Sequence, residues 1–149
     1  MALFQAFDIS ASGMTAERFR MDTIAENIAN VNTTRTSDGK PYRRKIVTFQ
    51  EKELNPVSFE DTLSYWRSFK GNGVRVSSVS EDTETDFTMV YDPSHPDADA
   101  NGYVSYPNVN TVTEMTNLID SSRSYEANVT AFNAVKAMAQ SGINVGGNG

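Results

Sequence analysis

The stretch from Leu3 to Thr34, LFQAFDISASGMTAERFRMDTIAENIANVNTT, decides the fold. Within it Phe4, Phe7, Ala11, Met14, Arg18, Met21, Ala25, Ile28 and Asn32 recur at alternating spacings of 3 and 4, the heptad pattern that lines one face of a helix. There is no Pro, and Gly13 is the single Gly. About 28 helical residues extend about 42 Å at 1.5 Å per residue. The helix is expected to stop where Asn30, Val31, Asn32, Thr33 and Thr34 replace good helix formers, because Asn and Thr side chains offer the backbone competing hydrogen bonds.

Working outward, a second long helix is expected after Tyr106 and Pro107. Thr111 and Glu114 stand in capping-box spacing ahead of Met115, Leu118, Ser122, Tyr125, Val129, Phe132, Lys136 and Ala139, again an alternation of 3 and 4. Ser141 and Gly142 are expected to end it, with Gly146, Gly147 and Gly149 in a loose tail. Residues 35–105 lack a helical period and hold four of the five Pro. Phe87, Met89 and Tyr91 alternate with Thr88 and Val90, Val74 and Val76 flank Arg75, and Gly71-Asn72-Gly73 signals a turn. The fold class that follows is α+β: long N- and C-terminal amphipathic helices pairing as a coiled coil, with a small β-rich insert of three to five strands between them. The expected division is 1–34, 35–105 and 106–149.

The helices ask for company. Leu, Ile, Val and Phe make up 31 of 149 residues, a thin supply for a core. Arg18 and Asn32 interrupt the first stripe, Ser122 and Lys136 the second. A buried charge costs several kcal/mol unless paired. A partly wet seam shared with neighbouring subunits accommodates these residues better than a helix pair closed inside a monomer. Its expected residues are Phe4, Phe7, Ala11, Met14, Met21, Ala25, Ile28, Met115, Leu118, Tyr125, Val129, Phe132 and Ala139.

Composition excludes several function classes. With 13 basic and 19 acidic residues the net charge is −6, so a nucleic acid or anionic lipid surface meets no global basic field. No apolar run exceeds the four residues Met1–Phe4, and a basic segment leading into an apolar stretch and a cleavage site is missing, so neither membrane insertion nor a cleaved signal is expected. The absence of Cys removes disulfides, thiolate metal sites and a thiol nucleophile. His95 with Asp97 and Asp99 lies in a Pro- and Asp-rich run typical of a turn. A metal needs three or four ligands converging from a rigid frame. Neither G-x-S-x-G, a Gly-rich phosphate loop nor H-E-x-x-H occurs. No catalytic, cofactor-binding or metal residue is therefore assigned, and no enzyme is expected. Charge is segregated along the insert, basic from Arg35 to Lys45 and acidic from Glu81 to Asp99. Arg43, Arg44, Lys45, Asp97 and Asp99 are candidate intersubunit charge contacts.

Ala11-Ser12-Gly13-Met14 followed by Ile24–Thr33 (IAENIANVNT) resembles the N-terminal signature of bacterial flagellar rod and hook proteins. Val90–Asn110 (VYDPSHPDADANGYVSYPNVN), Glu114-Met115, Arg123–Asn128 (RSYEAN) and Pro41–Lys45 resemble the proximal-rod type of that family. The matching positions include Asn27, Asn30, Asn32, Thr33, Tyr106, Pro107, Asn108, Asn110, Tyr125, Glu126 and Asn128. The resemblance implies a noncatalytic axial subunit of the flagellar basal body whose terminal helices pair in an inner tube while the insert faces outward. It implies as partners further copies of itself, other rod proteins and the flagellar type III export apparatus, with passage out of the cytoplasm and no signal cleavage. A different axial protein, or a secreted enzyme acting on the cell wall, are the other readings; the second needs a convergent acid pair that the sequence does not display.

Overall fold

The computed structural model describes residues 2–52 and 71–146; the stretch 53–70 and the Gly147 and Gly149 part of the expected tail lie outside the described residues. The elements are α1 (Ala2–Ala29), β1 (Lys45–Glu51), β2 (Val74–Glu81), β3 (Thr88–Tyr91), β4 (Tyr103–Tyr106) and α2 (Thr111–Gly146). Two long helices bracket a small antiparallel β-rich insert, as the spacing pattern predicts. Strands β1 and β2 form one two-stranded sheet and β3 and β4 another, both antiparallel. Thr48 faces Ser78 but Phe49 faces Val76, so Ser77 is the extra residue of a bulge. In the β3–β4 connection Gly102 has φ +81, and a Cβ there would meet the Tyr91 ring at 2.9 Å. Only glycine suits that turn.

The helices run antiparallel. Asn27 bonds Glu114, Gly13 lies against Asn128, and the rings of Phe7 and Phe132 meet edge-on at 4.8 Å between centroids. At 36 residues against 28, α2 is about 12 Å longer than α1.

Two expectations are corrected. The cap of α2 is Asn110, whose Oδ1 accepts from the N–H groups of Val112 (3.0 Å) and Thr113 (3.2 Å); Thr111 is the first helical residue, and Glu114 points into the protein instead of completing a capping box. The helix also passes through Ser141 and Gly142 to Gly146. Glycine ends a helix by adopting the left-handed conformation, and Gly142 does not adopt it.

Within one chain the apolar stripe is not the deepest line of either helix. Along α1 the buried residues are Ser10, Ala16, Thr23, Ile24 and Asn27, whereas the apolar stripe of Phe7, Ala11, Met14, Met21 and Ile28 is half-buried and Phe4, Arg18, Ala25 and Asn32 are exposed. On α2 the buried positions are Glu114 and Ser121, each one residue before a stripe position; Leu118, Ser122, Tyr125, Val129, Phe132 and Ala139 are half-buried, and Met115 and Lys136 exposed. Helix α1 packs on two sides, against α2 and against β1 and β2. Its deepest line lies between those two contacts, where small side chains let backbones approach. A Cβ on Gly13 would sit 2.7 Å from Asn128 Oδ1.

Candidate functional site

Among the described residues the most enclosed polar side chains, Glu114 and Asn27, meet where the C-terminal turns of α1, the start of β1 and the first turn of α2 come together. Glu114 and Asn27 are each 1 % exposed. Glu114 Oε2 accepts from Asn27 Nδ2 at 3.0 Å, and Oε1 accepts from Arg44 Nε at 2.8 Å. Asn27 Nδ2 also donates to the Lys45 carbonyl at 2.9 Å. Its Oδ1 accepts from the Lys45 N–H and the Tyr42 hydroxyl, both at 2.9 Å. One carboxamide thus joins both helices to the insert.

Asn108 repeats the arrangement on the other side. Its Oδ1 accepts from the Arg44 N–H at 2.9 Å, and its Nδ2 donates to the carbonyls of Asp82 (3.0 Å) and Thr85 (3.1 Å). The Asp82 carboxylate lies 3.7 Å from Arg44 Nη1. The Thr85 N–H, with the Thr85 hydroxyl, the Glu84 N–H and the Arg44 charge adding to it, holds the Asp82 carboxyl below the usual carboxylate range against its burial. Burial, reinforced by Glu26, Glu114 and Glu81, pushes the Tyr42 hydroxyl up to about 12. Every group in this network has a partner, the condition under which buried polar groups fix one geometry.

Of the resemblance residues, Asn27 and Asn108 hold this junction together. Asn30 bonds the Glu26 carbonyl and receives the Thr33 hydroxyl, turning the chain out of α1, and the Thr33 carbonyl accepts from Tyr42 N–H. Pro107 is buried, Tyr106 half-buried, and Asn128 seats against Gly13. Asn32 and Glu126 are exposed.

Sequence reasoning missed the insert-facing line of α1. Gln5 Nε2 donates to the Gly71 carbonyl (3.0 Å), Ser12 Oγ accepts from Val74 N–H (3.1 Å), and the Arg20 guanidinium lies 3.9 Å from the Phe49 ring centroid. With Asn27 these residues recur about every seven positions, a polar heptad beside the apolar one.

The candidate charge contacts have partners within the chain. Arg44 serves Glu114 and Asp82, Lys45 pairs with Glu26, and Asp97 pairs with Arg35 at 2.7 Å. Arg43 Nη1 donates to the Asp82 carbonyl at 2.7 Å, and its guanidinium lies 4.4 Å from the Phe87 ring centroid. Asp99 Oδ1 accepts from Asn101 and Tyr103 N–H, both at 2.8 Å, shaping the β3–β4 turn. His95 Nδ1 accepts from Asp97 N–H at 3.1 Å. Among the described residues no group of three His, Cys, Asp or Glu side chains is placed to hold a metal, and no helix is long and apolar enough to cross a membrane.

The two helical ends match known families. The family model described as flagella basal body rod protein matches residues 7–35, and that described as flagellar basal body rod FlgEFG protein C-terminal matches 100–145. The flagellar basal-body rod protein FlgC of Bacillus subtilis strain 168 is 45% identical over 150 residues, covering 98% of this chain and 99% of that protein. FlgC of Borreliella burgdorferi is 43% identical, with 96% and 97% covered, and FlgC of Escherichia coli O6:H1 is 41% identical, with 98% and 99% covered.

Proposed function

The chain belongs to the FlgC family of flagellar basal-body rod proteins, and from that premise we propose that it polymerises through its terminal helices into the helical tube of the proximal rod, which carries torque and encloses the export channel. It is a structural rod subunit, not an enzyme, and it works among other rod components of the basal body. The division into axial helices at 1–34 and 106–149 and an outer insert at 35–105 suits this role. Export from the cytoplasm by the flagellar type III apparatus, without signal cleavage, belongs to the same reading.

One observation carries the tube. Among the described residues Ala16, Ile24, Tyr42 and Val104 are the buried hydrophobics, while Phe4, Ile9, Phe19, Val112, Met115, Ile119, Met138 and Ile143 stand 39–74 % exposed on the two helices. With so few hydrophobic side chains enclosed and so many uncovered along the helices, covering them with a neighbour is favourable. Contacts between unlike faces that do not close make tubes and filaments.

The test is an epitope tag in the exposed Asp38–Gly39 turn, expressed in a strain lacking the native gene. Restored motility and the tag in isolated basal bodies are expected. A tagged protein that stays out of basal bodies while restoring motility contradicts the reading.

A further inference from the structure

A groove of about 420 Å³ runs along α1 from Ala11 to Asp22, floored by Ala11, Arg18 and Asp22 and walled by Val76 of β2 and Tyr125 of α2. One and two turns beyond it, on the same side of the helix, Ala25 and Ala29 are exposed. On α2, the exposed residues Met115, Ile119, Arg123 and Glu126 follow each other at spacings of 4, 4 and 3, one outward stripe on the side away from Glu114 and Ser121. Met115 and Ile119 are each 53 % exposed. None of Arg18, Asp22, Arg123 and Glu126 has an ion-pair partner among the described residues.

These two surfaces complement each other in one antiparallel register. Down α1 the order is Arg18, Asp22, Ala25, Ala29; up α2 it is Glu126, Arg123, Ile119, Met115. Arg18 to Asp22 spans about 6 Å and Glu126 to Arg123 about 4.5 Å, so cation faces anion twice, and two long apolar side chains then fall on two alanines. A parallel alignment that starts Arg18 on Glu126 carries Asp22 towards Thr130 and leaves Ile119 and Met115 behind.

We infer that the α2 stripe Met115–Ile119–Arg123–Glu126 of one copy docks along the α1 face Arg18–Asp22–Ala25–Ala29 of a second copy, entering its groove at Arg18 and Asp22. The inference rests on the rod-subunit reading and names its homotypic contact. Groove and stripe lie on different faces, so each copy uses both and the contact propagates. The alanines admit a helix closely, and the paired charges set the register more than they add strength.

The Cys-free chain makes the test direct. Two differently tagged single-cysteine variants, Ala25→Cys and Ile119→Cys, are expressed together, and basal bodies are isolated and mildly oxidised. A disulfide joining the two tags is expected, which no contact within one chain can produce. In parallel, Arg18→Glu is expected to lower incorporation roughly five-fold through two affected contacts per copy, and Arg18→Glu with Glu126→Arg to restore it. Both cysteine variants entering basal bodies without a mixed disulfide, together with equal incorporation of single and double charge variants, overturns the contact while leaving the rod-subunit reading intact. Absence of all variants and of the tagged wild type from basal bodies overturns that reading instead.

Discussion

The two ends of the helix pair are built on opposite principles. Where α1 ends and α2 begins, Asn27, Tyr42, Arg44, Asn108 and Glu114 close a polar network with all its hydrogen bonds inside the chain. Where α1 begins and α2 ends, Phe4, Met138 and Ile143 stand 61–74 % exposed, and the Phe7–Phe132 pair is the aromatic contact there. A satisfied polar junction specifies one geometry and offers a neighbour few unpaired groups, whereas an uncovered apolar end gains stability only when another molecule covers it. The junction fixes the insert on the helices and confines its uncovered apolar side chains, Val112, Met115 and Ile119, to the outer side of α2; the far end rests on apolar contact alone and waits for a neighbour to complete it.

The largest effect expected on the isolated chain is at Glu114. Replacing it by Ala leaves Arg44 only the Asp82 carboxylate at 3.7 Å and removes an Asn27 partner, a loss of about 3 kcal/mol for two buried groups left short of partners, read by urea unfolding. Reversing Arg43 and Arg44 to Glu acts through the same site, so it is expected to unfold the junction before it disturbs any subunit contact. Unchanged urea midpoints for both variants would break the contrast between the ends. Next comes Asn27→Ala, which leaves the Tyr42 hydroxyl and the Lys45 N–H without their acceptor and is expected to cost about 2 kcal/mol.

Smaller and more diagnostic is Gly13. Alanine favours a helix by about 1 kcal/mol over glycine, but its Cβ collides with Asn128. Gly13→Ala is expected to destabilise the native chain and to stabilise the Asn128→Ala variant. The same sign in both backgrounds would show that the helices are not held as close as described.

The junction also carries a pH signature. Below pH 10 Tyr42 is protonated in folded and unfolded chains alike. Between pH 10 and about 12 the unfolded chain ionises first, so the stability that this hydroxyl contributes is lost across that window. Tyr42→Phe is expected to flatten it. Asp82 acts at the acid end: its lowered value makes its contribution present above the ordinary carboxylate range and lost as pH falls through the folded value. Least of all, Met138→Ser is expected to shift monomer stability by no more than about 0.5 kcal/mol, as exposed substitutions do, yet to reduce incorporation into basal bodies.

Both helices were legible from their 3 and 4 spacings, and so was the strand character of Val74–Val76 and Thr88–Tyr91. The buried face was not. Apolar periodicity locates the stripe from Phe4 to Ile28, but burial depends on what surrounds a helix, and the insert on the second side of α1 moves the deepest line onto Ser10, Ala16, Thr23 and Asn27. Glu114 suggests a cap because it follows Thr111 by three residues; its actual partners are Asn27, 87 positions away, and Arg44, 70 positions away. Pairings at that separation leave no local signal. The basic and acidic runs were visible, but which charge meets which within the chain depends on the β1–β2 and β3–β4 registers, which composition does not encode.

Hydrogen exchange of the dilute monomer, compared with the chain in isolated basal bodies, tests the contrast between the two ends most directly. In the monomer, amides around Ile24–Asn27 and Glu114–Ser121 are expected to exchange far more slowly than those around Phe4–Ile9 and Lys136–Ile143, and in the rod the second set is expected to become protected as well. Equal protection of both ends in the monomer, with no gain on assembly, would contradict the account.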